Sequence, residues 1–562
     1  MLINQKSKRI ALLSVLLLSS FFVALFIWLL PIAIKGYAAY SFSTNFTLAR
    51  NLSLVQSYSM ENKYNVILSP DLIKLHGQES TMGNKLTSII YGWIFSAFGV
   101  LNMDQLVLLA TIVYALAMVI FALSVYRLFG LKITLLFLLT YIFLPINWTN
   151  ALNPGYFEFS LLFLSVFFLF YFMGEGKKYD FLYLAPAGLF LFLSSWSREA
   201  FFLFVPGLFL YFILTRKYRE LLLVLTPFMI ALSILWLPQI SSNGYSNLFT
   251  TQASDALKGA DFQTYGEFYP DPYTYHFDRD LFLGQNLVAP SINPIGQFYQ
   301  IKNLVNFGIR RPSIYERVVI GSCLLAEHAW RFLDINQLGG PLVIAIVLLG
   351  FYDLSIKRRD LAILFLLWPV TVLLLLSYVV FAGRSHIIDM VFPLALLIAL
   401  GLERLLRSFG STTDNNKSAS FNFVFIALFV CNLLLCGKNF IDNIYSHSLA
   451  DQNRAYAEAV SKEDIKNEEI IATDSNGYEL NYLTGKSYVV FTDGTIRKLI
   501  DQGKLDDVFD IFRVKFVLGY SDRLTAEILD NSKVKNVADS SVTADDVGKD
   551  KNKMFLLKLL SF

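Results

Sequence analysis

Residues 10–34 read IALLSVLLLSSFFVALFIWLLPIAI, a run without a charged side chain, and Lys6, Lys8 and Arg9 stand just before it. About 20 apolar residues suffice to cross the hydrocarbon core of a bilayer, and the apolar core of a signal peptide is shorter. The run therefore predicts an uncleaved first membrane helix, and its basic flank places the N-terminus in the cytoplasm. Working outward, the rest of the chain agrees. Of 562 residues, 55% are hydrophobic and 16% charged, far more apolar surface than a soluble enzyme of this size needs. Phe (51) and Tyr (29) are abundant, as expected where rings pack between helices and sit at the headgroup boundary.

Further apolar stretches run from about Leu106 to Tyr126, Ile133 to Asn147, Phe157 to Met173, Phe181 to Trp196, Phe201 to Leu214 and Leu221 to Leu237. Four more lie at about 341–355, 361–381, 387–402 and 421–437. Basic clusters fall in every second connection: Arg127 with Lys132, Lys177 with Lys178, Arg216 to Arg219, Lys357 to Arg359, and Arg404 to Arg407. The bias of Lys and Arg toward the cytoplasm puts those connections inside. The apolar segment Leu86 to Val100 would break the alternation if it crossed, so it is expected to be re-entrant or interfacial. The amphipathic stretch Tyr315 to Phe332 stays on the outer side.

The expected fold is thus a polytopic α-helical membrane protein with about eleven crossings. Residues 1–437 form its membrane domain, with outer loops at 35–85 and 239–340. From about residue 438 the character changes. Strand-like runs at Ile470 to Thr473, Tyr488 to Thr492 and Val514 to Leu518 alternate with helical stretches, predicting a small extracytoplasmic α/β domain over 438–562.

Composition also excludes. The net charge of +3 and the absence of Lys and Arg runs interleaved with aromatics argue against nucleic acid as a partner. No Walker loop or glycine-rich dinucleotide motif is present. Cys323, Cys431 and Cys436 lie in apolar surroundings and read as core residues. His276 and His328 lack the spacing of a zinc site, so no metal is assigned and a divalent ion has no support from the motifs.

Charges next to membrane ends on the outer side run against the usual bias, which singles out Lys85, Arg198 and Arg384 as candidate ligands of a lipid phosphate. The alternative for each is a snorkelling Lys or a locally paired Arg, such as Arg198 with Glu199. Glu158 follows Asn153, Pro154 and Gly155 at an outer helix mouth. Partial burial there would make it a proton acceptor, and the alternative is a hydrated carboxylate favoured by the helix dipole. In the long loop Tyr273, Tyr275 and His276, among Tyr265, Tyr269, Asp278 and Arg279, form a mix of flat rings and polar groups suited to binding an acceptor, or else to packing as a lid.

Several short motifs follow one another in a telling order. They are Phe46-Thr47-Leu48-Ala49-Arg50-Asn51-Leu52, Gly83-Asn84-Lys85-Leu86 with Tyr91-Gly92-Trp93 and Phe98-Gly99, and Asn153-Pro154-Gly155-Tyr156-Phe157-Glu158. Trp196-Ser197-Arg198-Glu199, Gly383-Arg384 with Pro393, Ile471-Ala472-Thr473-Asp474 and Leu483-Thr484-Gly485-Lys486 complete the set. This layout resembles the GT-C superfamily of membrane glycosyltransferases along nearly the whole chain. The likeness is greatest to the branch with the protein O-mannosyltransferases and the aminoarabinose transferase of lipid A. The resemblance implies sugar transfer, with inversion, from a polyprenyl phosphate donor drawn from the bilayer to a protein, lipid or glycan acceptor on the outer face. It implies no cofactor beyond that lipid-linked co-substrate, and a bacterial inner membrane is the expected location. Lys85 and Glu158 match positions of the family's machinery. The family's first-loop acid, however, would fall within Tyr40-Ser41-Phe42-Ser43-Thr44-Asn45, where no carboxylate stands. Glu61, Asp71 and Glu79 are the carboxylates in the same loop that could substitute. A protein that binds the lipid phosphate without turnover is the second reading, and a transporter or flippase the third.

Overall fold

The computed structural model describes residues 85–236, 340–380, 388–410 and 449–518 with short gaps, strands at 534–538 and 556–559, and single positions within 46–53, 318–329 and 528. The first helix at 10–34, the stretch at 421–437 and the three cysteines lie outside the described residues. The chain divides into two compact units. One draws on Met1–Lys35, Met103–Ser242 and Gly321–Ser446, the other on Gly36–Asn102, Asn243–Ile320 and His447–Phe562.

The first unit is helical: α2 (Met103–Phe129), α3 (Leu131–Phe143), α4 (Glu158–Gly174), α5 (Phe181–Ser197), α6 (Phe204–Leu214), α7 (Tyr218–Ala231), α8 (Pro341–Lys357), α9 (Arg359–Leu375) and α10 (Val391–Gly410). The second begins with α1 (Lys85–Phe98). Among the described residues, three helical segments are long and apolar enough to cross a membrane: Asp104–Phe129, Tyr218–Leu235 and Arg359–Tyr378. The latter two reach that length because π-helical turns, Leu232–Trp236 and Leu376–Val380, extend α7 and α9. The expected stretch from Phe201 to Leu214 is helical throughout, beginning with a 3-10 turn. A 3-10 turn at Glu199–Leu203 precedes α6, because Arg198 adopts an extended backbone that ends α5.

The core of this unit is aromatic. Trp368 lies between Phe204, 4.4 Å away between ring centres, and Phe168, 5.2 Å away, while Phe392 stacks on Phe121 at 4.3 Å. Glycines set the closest helix approaches. A Cβ on Gly350 of α8 would stand 1.8 Å from the carbonyl oxygen of Leu397 on α10, and one on Gly401 of α10 would stand 2.2 Å from that of Ile346. The small-residue contact lets the two backbones meet, as helix pairs in membranes require.

At one end of these helices the five basic connections found in the sequence are joined by ion pairs. Arg127 donates to the carbonyl of Phe172, and Lys132 pairs with Glu403. Arg219 meets Asp180 at 2.7 Å. Lys217 reaches Asp360 at 3.0 Å and Glu175 at 3.5 Å, and Arg358 reaches Glu175 at 2.7 Å. Asp353 takes Lys357, Arg404 and Arg407, and Glu403 takes Lys357 and Arg407. No carboxylate of this layer belongs to the basic clusters themselves except Asp360 and Glu403, which flank them.

The second unit carries a five-stranded mixed sheet in the order β2-β1-β3-β5-β4. Its elements are α11 (Leu449–Lys462), β1 (Ile470–Thr473), α12 (Gly477–Thr484), β2 (Ser487–Val490), α13 (Asp493–Asp501), β3 (Val514–Leu518), β4 (Val534–Ala538) and β5 (Leu556–Leu559). β1 runs parallel to β2 and β3, with α12 and α13 in the crossovers that parallel pairing demands. β5 is antiparallel to β3 and β4. Tyr456, Val460, Ile471, Leu480, Tyr488 and Phe516 form its core. The strand expected at Tyr488 to Thr492 is found at Ser487–Val490, with 491–492 outside the described residues, and β4 and β5 were not foreseen.

α1 answers the question raised by Leu86 to Val100. Its 14 residues span roughly 21 Å, short of the ~30 Å hydrocarbon core. It buries Leu86, Thr87, Ser88, Tyr91 and Phe95 and leaves Trp93 and Phe98 exposed, 67% and 79%.

Candidate active site

Glu158 is the first residue of α4 and is fully buried. The turn before it needs Gly155, whose φ of 87° lies in the left-handed region that favours glycine. The carboxylate folds back onto that turn. Gly155 N–H donates to Oε1 at 2.8 Å and Phe157 N–H to Oε2 at 3.1 Å. Two charge-assisted bonds at a helix N-terminus hold the group in one place. The alternative of a hydrated carboxylate is thereby corrected: backbone amides, not bulk water, surround it.

Arg198 ends α5 and is half-buried. Its guanidinium carbon lies 5.3 Å from the centre of the Phe157 ring, one residue from Glu158. The hydroxyl of Ser194 donates to the carbonyl of Ser160 at 2.8 Å and ties the same ends of α4 and α5 together. The structure thus brings two of the sequence candidates, Glu158 and Arg198, to the helix ends remote from the ion-paired layer. Tyr114 of α2 lies within electrostatic reach of Glu158 and of Tyr141 of α3.

Asp389 was missed by sequence reading because it sits inside the apolar stretch at 387–402. It is buried, and Trp368 Nε1 donates to its Oδ2 at 3.3 Å. It stands in the 3-10 turn at 388–390, just before α10.

In the second unit, motifs far apart in sequence converge. Arg50 is buried and donates to the carbonyl of Tyr482 at 3.3 Å, with its guanidinium over the Tyr482 ring at 5.5 Å. Burial pushes its pKa down to about 10, so it remains a cation at neutral pH. Phe46 meets Tyr91 edge-on at 4.7 Å, and Leu52 packs over Gly92, where a Cβ would lie 2.8 Å from Leu52 Cδ2. The Tyr482 hydroxyl donates to the carbonyl of Leu101. The segment around Arg50, the helix after Lys85 and the segment before Gly485 thus form one knot of packing.

Lys85 is the first residue of α1. Glu61, Asp71, Glu79, Arg384, Tyr273, Tyr275 and His276 lie outside the described residues. His328 is described and buried. Among the described residues, no group of three or more His, Cys, Asp and Glu could hold a metal ion.

Two solved proteins share the architecture. ArnT from Cupriavidus metallidurans bound to undecaprenyl phosphate aligns with a TM-score of 0.52 at 11% identity, over 96% of this chain and 97% of that one. The Archaeoglobus fulgidus oligosaccharyltransferase in its apo form gives 0.52 at 13% identity, over 92% of this chain and 71% of that one. Its complex with Zn and sulfate gives 0.50 at 13% identity. No protein family model and no curated protein sequence matches the chain.

Proposed function

From the GT-C fold, which the motif layout implied and the two solved structures bear out, we propose that the chain transfers a sugar from a polyprenyl phosphate donor to an acceptor on the outer face of a membrane. The observation that supports this reading is that a buried, amide-clasped Glu158 stands at the same helix ends as the Arg198 cation, which lies over the neighbouring Phe157 ring. Inverting transfer needs a carboxylate to take the acceptor's proton and cations to steady the departing lipid phosphate. In this reading Glu158 serves the acceptor side, and Lys85, Arg198 and Arg384 serve the phosphate. Glu61, Asp71 and Glu79 supply any further carboxylate, and Tyr273, Tyr275 and His276 line the path of a protein, lipid or glycan acceptor. The ion-paired layer is then cytoplasmic, the α/β part of the second unit extracytoplasmic, and the membrane a bacterial inner membrane.

A second reading has its own support. No carboxylate occurs in Tyr40-Ser41-Phe42-Ser43-Thr44-Asn45, where the resemblance puts the family's first acid. A member without it binds a polyprenyl phosphate and assists envelope assembly without turnover. One assay separates the two: purified chain, a labelled lipid-linked sugar and an acceptor mixture, read as release of polyprenyl phosphate. Transfer is expected in the parent chain and lost in Lys85→Ala and Glu158→Ala. Full activity in both variants would sink the site assignment, and tight lipid binding without release would establish the second reading.

A further inference from the structure

Buried polar groups are distributed unevenly along the first unit. Toward the ion-paired end, each described one is satisfied by protein: Tyr171 bonds Tyr211 and Glu220, Lys217 bonds Tyr211 and Asp360, and Thr134 bonds the carbonyl of Gly130. Toward the other end, the hydroxyls of Tyr114 and Tyr141, Asn147 Oδ1, Ser160 Oγ and Asp389 Oδ1 are buried with no hydrogen-bond partner among the described residues. Tyr114, Tyr141 and Asn147 are also neighbours. Asn147 Nδ2 donates to the carbonyl of Tyr141 at 2.6 Å, and Tyr114 is within electrostatic reach of both Tyr141 and Glu158. The rings of Tyr141, Phe121 and Phe392 run in contact, and Phe392 meets Trp368, whose Nε1 donates to Asp389.

Left dry, each of these groups would cost the full desolvation of its hydroxyl, amide or carboxylate. Buried water is the ligand such a set takes: small, neutral, and able to give and accept bonds to hydroxyl, amide and carboxylate alike. We propose that this half of the helical unit encloses ordered water bonded to Tyr114, Tyr141 and Asn147. The inference does not depend on catalysis, since a non-catalytic member would hold the same water.

The sign of a stability change tests it. A hydroxyl that is buried and dry destabilises the fold, so removing it raises Tm; a hydroxyl that bonds fixed water stabilises it, so removing it lowers Tm. Tyr114→Phe and Tyr141→Phe, in the full chain in nanodiscs, are each expected to lower Tm. A rise in both would overturn the proposal. Radiolytic hydroxyl labelling read by mass spectrometry provides the second measurement. Tyr114 and Tyr141 are expected to be oxidised severalfold faster than the equally buried Phe121 and Phe168, because radicals form from the water beside them. Equal protection of all four rings would overturn it.

Discussion

The guanidinium of Arg50 donates to the carbonyl oxygen of Tyr482, 432 residues further along the chain. The bond closes the packing of the first-loop segment on α12, and Phe46, Tyr91 and Phe95 surround it. Arg50→Ala is expected to lose a charged hydrogen bond and a cation–π contact, about 2 kcal/mol together. The loss should appear as faster hydrogen exchange in Gly477–Thr484. The pH dependence follows from the lowered pKa of about 10. A base with a depressed folded pKa is penalised at every pH below that value and relieved only above it. The effect of Arg50→Ala should therefore be flat between pH 5 and 8, and a slope there would show that another group titrates with it.

Lys217 is the hub of the ion-paired layer, bonded to Tyr211, Asp360 and Glu175. Burial opposes its charge, but Tyr211, Glu220 and Asp360 together hold its pKa above the ordinary lysine value. A group with a raised folded pKa gives its full contribution below the unfolded value, so all of it is present at neutral pH and is lost only in strong alkali. Lys217→Met leaves Asp360 and Glu175 sharing Arg358 alone. For a pair this partly exposed the cost should be about 2 kcal/mol. Thermal unfolding in detergent at pH 7 measures it, and an unchanged Tm would show the layer to be ornamental.

Gly350→Ala is expected to be the most damaging small substitution in the helical unit. Its methyl would enter the carbonyl of Leu397, so α8 and α10 must separate, at a cost of about 3 kcal/mol or more. Gly176→Ala meets open space and is charged only for its φ of 69°, about 1 kcal/mol. Expression and Tm of the two variants should rank in that order.

Orientation has a direct readout. Tyr179 is exposed beside Asp180 of the ion-paired layer, and Arg497 is exposed on α13. With a membrane-impermeant maleimide, Tyr179→Cys should label only in inside-out vesicles and Arg497→Cys only in right-side-out ones. The exchanged pattern would reverse the orientation, and labelling of both from one side would overturn their placement on opposite faces.

Much of this was legible in the sequence, and for a physical reason. An apolar run long enough to span announces its own helix, so α2, α4, α5, α8 and α9 fall within a few residues of their apolar stretches. The basic connections could be read as one face because a single rule governs their side. Their acidic partners could not, since Glu175, Asp353 and Asp360 pair across connections separated by up to 183 residues. Asp389 was hidden by its apolar neighbours, and the knot around Arg50 depends on contacts no local pattern encodes. Strands β4 and β5 escaped notice because Lys535 and Lys558 interrupt their apolar character.

The ion-paired layer has a mechanical consequence. Five connections riveted together act as the palm of a hand, and the helices become fingers that share one fixed root. A bend at the root would break several charge pairs at once, whereas spreading at the tips breaks few. The tips are where α7 and α9 change to π-helical turns and where Glu158 and Arg198 sit. Any opening between the helices is thereby a motion of the fingertips, with the palm as its fulcrum.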